Sequence, residues 1–399
     1  MHIVGAGPAG LIAAETLAGR GFSVTVFERM PSPARKFLMA GRGGLNLTHT
    51  EPLPGFLRRY GEAQEWLTPA IQAFSPKRLR NWSEELGEPT FVGSSRRVFP
   101  RSYKATPLLR AWLRRLERLG VTFAFRHQWL GFAPDGLRFA TPEGERTLAA
   151  DATLLALGGG SWPRLGSDGG WVGALRAEGI AVADLRPANC GFTVAWSDVF
   201  RSRAAGEPLK RIAIHGGGLT AAGEAMITEA GIEGGAIYAL SAALRDAIER
   251  DGAVTIHIDM QTDMSVSELA WRLERARAGQ SLTTTLRKVA GLSPAGALLV
   301  REGGPLPSSS EALAALVKAV PVRLTGTQPL ARAISSAGGI PRDEIDDDYM
   351  LVKRPGVFAA GEMLDWEAPT GGYLLQATFA TGRAAAEGIT RYLEQPDRP

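Results

Sequence analysis

The sequence predicts an α/β protein: a doubly wound, Rossmann-like nucleotide-binding domain built from both ends of the chain, with a mixed α+β domain inserted between them. Three observations support this: a strand, glycine turn and helix at the N-terminus, a second strand and helix near the C-terminus, and a changed pattern in between. The 399 residues exceed the roughly 250 to 300 at which one core usually stops growing. We therefore assign residues 1–190 plus 331–399 to the nucleotide-binding domain and 191–330 to the insert.

The N-terminal signal is a short apolar strand that runs into the turn Gly5-Ala-Gly7-Pro8-Ala9-Gly10, followed by a helical pattern. In such a turn Gly5 permits the tight bend, Gly7 lets a pyrophosphate approach the backbone, and Gly10 allows close packing of helix on strand. The helix N-terminus then presents N–H groups to the phosphates. The order predicts a dinucleotide site, and the alternative is a glycine turn with a structural role alone.

A second strand ends at Glu28, about 20 residues after the glycines, where an acidic residue can accept both ribose hydroxyls of an adenosine. A carboxylate at this place indicates a free 2′-hydroxyl, as in FAD or NAD. Arg29 follows directly and leaves open a contact with a 2′-phosphate. Both residues are predicted cofactor contacts.

The C-terminal signal decides between FAD and NAD. Residues 355–362 read as a buried strand that ends at Gly361-Glu362, and Thr370-Gly371-Gly372-Tyr373 opens a long helical pattern. Donors at a helix start stabilise the negative charge that develops on a reduced flavin, whereas a classical dehydrogenase shows nothing more of the kind after its N-terminal domain. We therefore predict non-covalent FAD, the alternative being a strand and helix that only close the sheet.

Between these ends the chain resembles the BaiN/RdsA-like family of FAD-dependent oxidoreductases, the YhiN-type flavoproteins. The resemblance rests on blocks at 36–48, 97–105, 157–163, 231–236 and 336–340, which occur in the family's order and span nearly the whole chain. It implies an FAD-binding domain in three ββα layers and a β-rich, partly helical insert that covers the flavin. Leu45 stands where the family commonly has cysteine, so a shared substrate is not implied.

Further cofactor contacts are predicted in three segments. Residues 36–48 read as a glycine-rich loop whose cations can offset pyrophosphate charge. A continuous apolar strand ends at Gly158-Gly159, where a ligand or another backbone must come close. By resemblance, the backbone of Trp129 meets the adenine, although the ring could equally be a core aromatic. The predicted contacts of the first loop are Lys36, Gly41, Arg42, Gly43, Gly44 and Asn46.

The leading functional hypothesis is an FAD-dependent oxidoreductase. NAD(P)H is its transient donor, and a small molecule with an activated C=C bond takes the hydride from flavin N5, as the resemblance suggests. Tyr373, Ser161 and Lys104 are the candidates for a proton donor, and the sequence does not choose among them.

Two alternatives differ in class. Arg110, Arg114 and Arg118 recur every four residues and form a basic stripe, which is either a solvated helix face or an RNA backbone contact. One branch of the resembled family is associated with reducing a uridine in ribosomal RNA. The other alternative is a flavin-binding module without turnover.

Composition bounds these hypotheses. Hydrophobic residues make up 45% and charged residues 22%, typical of a globular protein. The only cysteine, Cys190, cannot form an internal disulfide, and with no Cys/His cluster we expect no metal site and a cytoplasmic location. No apolar run approaches the ~18 residues of a membrane span, and Gly5 comes too early for a signal peptide. The net charge of +4 and pI of about 9.3 suit a phosphate-bearing ligand or a weak nucleic-acid contact, although such a balance is more often that of a solvated surface.

Overall fold

The computed structural model describes residues 1–277 and 279–394 and divides the chain into two compact units. The first contains residues 1–186 and the chain from 335 onward, and the second contains residues 187–334. Each unit has its own hydrophobic core. Residue 278 of the predicted insert and residues 395–399 of the predicted nucleotide-binding domain lie outside the described residues.

The strands and helices of the first unit follow in chain order. They are β1 (His2–Val4), α1 (Pro8–Ala18), β2 (Thr25–Glu28), α2 (Arg35–Ala40), β3 (Thr48–His49), α3 (Leu53–Arg58), α4 (Gln64–Ala73), α5 (Pro76–Glu85), β4 (Thr90–Val92), β5 (Arg97–Pro100), α6 (Ala105–Arg118), β6 (Thr122–Phe125), β7 (Gln128–Ala133), β8 (Gly136–Thr141), β9 (Gly144–Leu148), β10 (Thr153–Leu155), α7 (Trp171–Ala177) and β11 (Ala183–Ala188), whose end reaches the second unit.

The second unit continues the chain, and three elements then return to the first. The second unit contains β12 (Phe192–Thr193), α8 (Asp198–Ala204), β13 (Pro208–Gly216), β14 (Leu219–Thr228), β15 (Gly231–Glu233), α9 (Gly235–Tyr238), α10 (Ser241–Asp251), β16 (Val254–Asp259), α11 (Val266–Glu274), α12 (Leu282–Lys288), α13 (Pro294–Glu302), α14 (Ser310–Lys318), β17 (Val320–Leu324) and β18 (Gly326–Thr327). The returning elements are β19 (Ser335–Gly339), β20 (Val357–Ala359) and α15 (Tyr373–Glu394).

A five-stranded parallel sheet organises the first unit. Its order is β20-β10-β1-β2-β6, so the strand delivered by the end of the chain lies beside one from its middle. The central strands β1 and β10 read as buried apolar runs because both faces of a parallel sheet are covered. The predicted Rossmann-like α/β domain is confirmed.

The first unit also contains two antiparallel three-stranded sheets, β7-β8-β9 and β3-β5-β4, and the two-stranded pair β11-β19. The first is a meander whose two hairpin turns lie at Pro134-Asp-Gly136 and Pro142-Glu-Gly144, both typical turn sequences. Its Phe139 stacks on Phe27 of the parallel sheet with 4.6 Å between ring centroids. The first unit thus combines the parallel sheet, the antiparallel meander and the helices that pack on them.

In the second unit a seven-stranded sheet, β17-β16-β13-β14-β15-β12-β18, combines with seven helices of the described residues. Within the described part of the chain, no helix combines the length and the apolar character that a membrane crossing needs.

Glu15 on α1 ties three helices of the first unit together. Its carboxylate accepts hydrogen bonds from the indole N–H of Trp82 on α5 at 3.1 Å and of Trp112 on α6 at 2.6 Å. The guanidinium of Arg115 donates at 2.9 Å. Both indoles are buried, so this carboxylate fixes the direction of the helix that begins at the glycine turn.

Replacing Glu15 with leucine is expected to lower the free energy of unfolding of the first unit by about 3 kcal/mol, because two buried indole N–H groups lose their acceptor. Glu15→Gln keeps one acceptor oxygen and should cost about 1 kcal/mol. Urea denaturation followed by tryptophan fluorescence measures both. A leucine variant as stable as wild type would show that the indoles find other acceptors.

Candidate functional site

The three glycines of the N-terminal turn have different surroundings. A Cβ on Gly5, whose φ is +109°, would lie 2.2 Å from the carbonyl oxygen of Ala156, and one on Gly10 would lie 2.0 Å from the carbonyl oxygen of Gly5. These two glycines are required by the packing of the protein itself. A Cβ on Gly7 would meet no described protein atom within 4 Å. The turn therefore leaves open space beside Gly7, where a ligand can approach the backbone.

The start of α1 faces this space. Gly7 is the N-cap residue and Pro8 is the first helical residue; among the described residues no side chain caps this end, and the first turn carries no acidic residue. Ala9 and Gly10 follow as small buried residues. The positive end of the helix dipole is thus available to an anion.

Glu28 holds the turn from the end of β2. One carboxylate oxygen accepts from the N–H of Ala6 at 3.0 Å and the other from the N–H of Met30 at 2.8 Å. Burial raises the pKa of Glu28, and the two backbone donors oppose this rise. Each oxygen keeps a lone pair for a ribose hydroxyl.

Arg29 is directed elsewhere. Its guanidinium forms an ion pair with Asp168 and donates to the carbonyl oxygen of Pro163 at 3.2 Å. A cation already paired with a carboxylate is a poor receptor for a 2′-phosphate, which agrees with the reading of Glu28 as a contact to a free 2′-hydroxyl.

A charged network joins four segments that are far apart in sequence. The ammonium of Lys36 donates to the hydroxyl of Ser161 at 2.6 Å and to the carboxylate of Glu362 at 2.7 Å. The other oxygen of Glu362 accepts from the N–H of Ser336 at 2.9 Å, and the hydroxyl of Ser336 accepts from the N–H of Gly160 at 2.7 Å. The network contains both signs of charge and is partly open, because the side chains of Lys36 and Glu362 are 27% and 15% exposed.

The predicted glycines at the strand ends lie around this network. A Cβ on Gly159 would be 2.4 Å from the hydroxyl of Ser336, and one on Gly361, at φ +76°, would be 2.8 Å from the Cβ of Ala9 at the start of α1. Gly158, at φ +74°, approaches Ser167. The N-terminal turn, the loop after β10 and the Gly361-Glu362 pair therefore meet at one edge of the parallel sheet.

The segment 36–48 is not one loop, and that prediction was wrong in its first part. Lys36 lies on α2, because Arg35–Ala40 consists mostly of good helix formers, and the glycine-rich loop begins at Gly41. A Cβ on Gly41 would be 2.5 Å from the Cβ of Ala105, and Gly44 packs on the ring of Tyr103. The neighbouring loop residues Arg42 and Gly43 are exposed, and Asn46 is half-buried.

The C-terminal helix α15 begins at Tyr373, after a turn made by Thr370, Gly371 and Gly372 rather than at Thr370 itself. Gly371 and Gly372 have φ of +128° and +97°, which only glycine adopts without strain. A Cβ on Gly372 would lie 2.5 Å from the backbone of Thr48. The helix start is thus fixed against β3.

Tyr373 belongs to a cluster that sequence reasoning missed. Its hydroxyl donates to Glu51, whose carboxylate also accepts two hydrogen bonds from Arg59 at 3.2 Å, and its ring stacks on His49 with centroids 5.4 Å apart. Burial and the carboxylate of Glu51 raise the pKa of Tyr373 well above its ordinary value. Burial alone would raise the pKa of Glu51, but the donors Arg59 and Tyr373 hold it below its usual range.

This geometry separates the three proton-donor candidates. The Tyr373 proton is directed at a carboxylate, and the Ser161 hydroxyl is buried against the Lys36 ammonium. Lys104 is exposed at the N-cap of α6. Ser161 is the one of the three that lies in the network at the sheet edge.

Buried polar side-chain atoms without a protein partner indicate where a bound dinucleotide can supply the missing hydrogen bond. Three predicted contact residues carry such an atom with no partner in the described part of the chain: Nε of Arg29, Oδ1 of Asn46 and Nε1 of Trp129. Trp129 itself is buried in β7 and packs edge-on against Phe132. Open space at Gly7, an uncapped helix start, the Glu28 carboxylate and the Lys36 ammonium together fit the ribose and pyrophosphate groups of a dinucleotide such as FAD.

Fold and site define a Rossmann-type, FAD-dependent oxidoreductase. Residues 1–388 match the family model described as HI0933-like protein Rossmann domain, so the chain belongs to the HI0933-like family. The resemblance to the BaiN/RdsA-like, YhiN-type flavoproteins is thereby confirmed.

Curated relatives align over nearly the whole chain. The chain is 26% identical to the 3-dehydro-bile acid delta(4,6)-reductase of Clostridium scindens, covering 96% of this chain and 98% of that protein. It is 22% identical to the ribosomal RNA dihydrouridine synthase of Escherichia coli, with 97% of each covered, and 25% identical to that of Haemophilus influenzae, with 98% of each covered.

Solved structures share the fold. A quinol fumarate reductase variant from Escherichia coli superposes with a TM-score of 0.53 at 15% identity, covering all of this chain and 71% of that one. The 3-ketosteroid-delta4-(5alpha)-dehydrogenase from Rhodococcus jostii gives 0.50 at 17% identity, covering 98% and 95%. At these identities the likeness concerns the fold alone.

Proposed function

We propose that the protein uses NAD(P)H to reduce a carbon–carbon double bond conjugated with a carbonyl group in a small molecule. One observation carries this proposal: the chain aligns from end to end with relatives whose names describe a delta(4,6)-reductase of a 3-dehydro-bile acid and a synthase of dihydrouridine. Chemically, both names describe two hydrogens added across a double bond next to a carbonyl. Donor and acceptor balance as NAD(P)H plus a proton plus C=C giving NAD(P)⁺ plus the saturated bond.

The residues of the site have corresponding tasks in this proposal. FAD, when bound, supplies the hydride transfer between donor and acceptor. Glu28 holds the adenosine ribose, Gly7 and the start of α1 bind the pyrophosphate, and Lys36 adds positive charge near it. Glu362 orients the ammonium of Lys36 and accepts from the ribityl chain. The donors at the start of α15 stabilise negative charge on the reduced ring.

A ribosomal RNA substrate is the second candidate, favoured by one feature of the surface. Arg110, Arg114 and Arg118 are exposed along α6 and have no ion-pair partner among the residues that the structure describes. Cations spaced in this way can follow a phosphate backbone, and such binding weakens steeply with salt. We also propose a cytoplasmic location, because Cys190 is the only cysteine and is buried.

Anaerobic assays of the flavin-loaded protein test the proposal. With NADPH or NADH we expect bleaching of the flavin absorbance and reoxidation by an enone such as a 3-keto-4-ene steroid acid, with two hydrogens gained in the product by mass spectrometry. Uridine-containing ribosomal RNA serves as the parallel acceptor. Reoxidation by the RNA alone, lost when Arg110, Arg114 and Arg118 are changed to glutamine, would establish the second candidate. A flavin that neither nucleotide reduces would refute both.

A further inference from the structure

Three aromatic rings form a small slab on the first unit, outside the network described above. Phe91 on β4, Phe99 on β5 and Tyr103 lie 5.1 to 6.2 Å apart between centroids, with interplanar angles of 22° to 28°. Phe91 and Tyr103 are 38% and 47% exposed. Grouped, near-parallel and exposed rings are the usual surface on which a flat heteroaromatic base stacks.

The segment that carries the slab is rich in cations. Arg96, Arg97, Arg101 and Lys104 are all exposed, and their side chains have no acceptor or ion-pair partner among residues 1–277 and 279–394. The segment from 90 to 104 contains no carboxylate in its sequence. Exposed rings and unpaired cations in the same short segment match a ligand that combines an aromatic base with phosphate groups.

The slab is attached to the glycine-rich loop of the cofactor site. The N–H of Leu45 donates to the carbonyl oxygen of Tyr103 at 3.0 Å. A Cβ on Gly44 would lie 2.5 Å from the Tyr103 ring. A nucleotide on the slab is therefore held beside the segment that we assign to the flavin.

We propose that this slab docks the adenylate end of the nicotinamide nucleotide that reduces the flavin, and that its cations select NADPH through the 2′-phosphate. The proposal rests on the function proposed above. The chain contains no second G-x-G-x-x-G after the first. The nicotinamide nucleotide therefore has no Rossmann fingerprint of its own, and its binding site must be built from other residues. An RNA strand would need contacts that continue along α6, and it is an alternative outcome of the test.

Calorimetric titration of the flavin-loaded protein with NADP⁺ and NAD⁺ tests the site without turnover. We expect wild type to bind NADP⁺ more tightly than NAD⁺. Phe91→Ala and Tyr103→Ala should each weaken NADP⁺ binding about tenfold through lost stacking, while Tyr103→Phe keeps the ring and the wild-type Kd. Arg101→Gln should reduce the preference for NADP⁺ and leave NAD⁺ binding nearly unchanged.

Trp271→Ala is the matched control, since this ring is 55% exposed in the second unit and stacks under Arg275 at 3.9 Å. It should leave both Kd values unchanged. FAD absorbance of each variant checks that the cofactor is retained. If Phe91→Ala and Tyr103→Ala bound NADP⁺ as tightly as wild type, the slab proposal would be overturned. The proposed reductase function is tested separately, because it requires only that NADPH reduce the flavin. The slab proposal would also be overturned if these variants kept NADP⁺ binding and lost only the binding of a single-stranded RNA oligonucleotide. If wild type bound neither NADP⁺ nor NAD⁺, both the slab proposal and the assignment of NAD(P)H as electron donor would be overturned.

Discussion

Gly7→Ala is expected to give a folded protein that retains little FAD. A methyl group at Gly7 meets no described protein atom within 4 Å, and the backbone there is extended, at φ −82° and ψ 179°. The substitution is therefore tolerated by the protein, and the methyl occupies only the space proposed for the pyrophosphate. Overpacking of this kind costs about 1 to 3 kcal/mol, which corresponds to a loss of about fivefold to more than a hundredfold in FAD affinity.

Gly173→Ala is the control for this prediction. Gly173 lies in α7, and its added Cβ also meets no described neighbour. That variant should retain wild-type FAD and equal or slightly higher stability. Fluorescence titration of the deflavinated proteins with FAD gives both affinities. If Gly7→Ala bound FAD like Gly173→Ala, the phosphates would have to lie away from the N-terminal turn.

The ion pair of Lys36 and Glu362 should respond asymmetrically to substitution. Lys36→Met removes a cation and leaves the Glu362 carboxylate uncompensated near the pyrophosphate, so FAD affinity should fall about a hundredfold, close to 3 kcal/mol. Glu362→Gln leaves the ammonium free to meet the phosphates, and it should cost less than about tenfold. A purely structural pair would instead make the two changes equally harmful.

A double-mutant cycle separates these readings. In Lys36→Met/Glu362→Gln the uncompensated carboxylate is gone, so we expect FAD to bind more tightly than in Lys36→Met alone. The same FAD titrations measure it, and urea denaturation of the deflavinated variants reports any loss of folding. Double and single lysine variants with equal affinity would mean that the carboxylate does not face the ligand.

Local patterns predicted a large part of the fold. The glycine turn, the strand ending at Glu28 and the late strand and helix have characteristic spacings, because strand, turn and helix geometry is set by residues close in sequence. For the same reason the parallel sheet and the hairpins of the meander were predictable. Helix α2 was not predicted, because the glycines at 41, 43 and 44 made the whole segment 36–48 look like a loop.

The pairings within the site were beyond sequence reasoning. Lys36 and Glu362 are 326 positions apart, and Tyr373 and Glu51 are 322 apart. Nothing in either local sequence indicates the other partner. The same holds for Glu15, whose carboxylate serves two indoles from other helices.

By itself the sequence determined the class of fold, the place of the glycine turn between strand and helix, and the residue types available to a cofactor. Only the tertiary structure decided which glycine leaves room for a ligand and which glycines are demanded by packing, as the contrast between Gly7 and Gly10 shows. It also decided that Tyr373 donates to Glu51 and that Arg29 is paired with Asp168. The physical reason is that spacing sets the local backbone path, whereas burial, open space and charge pairing arise when distant segments meet.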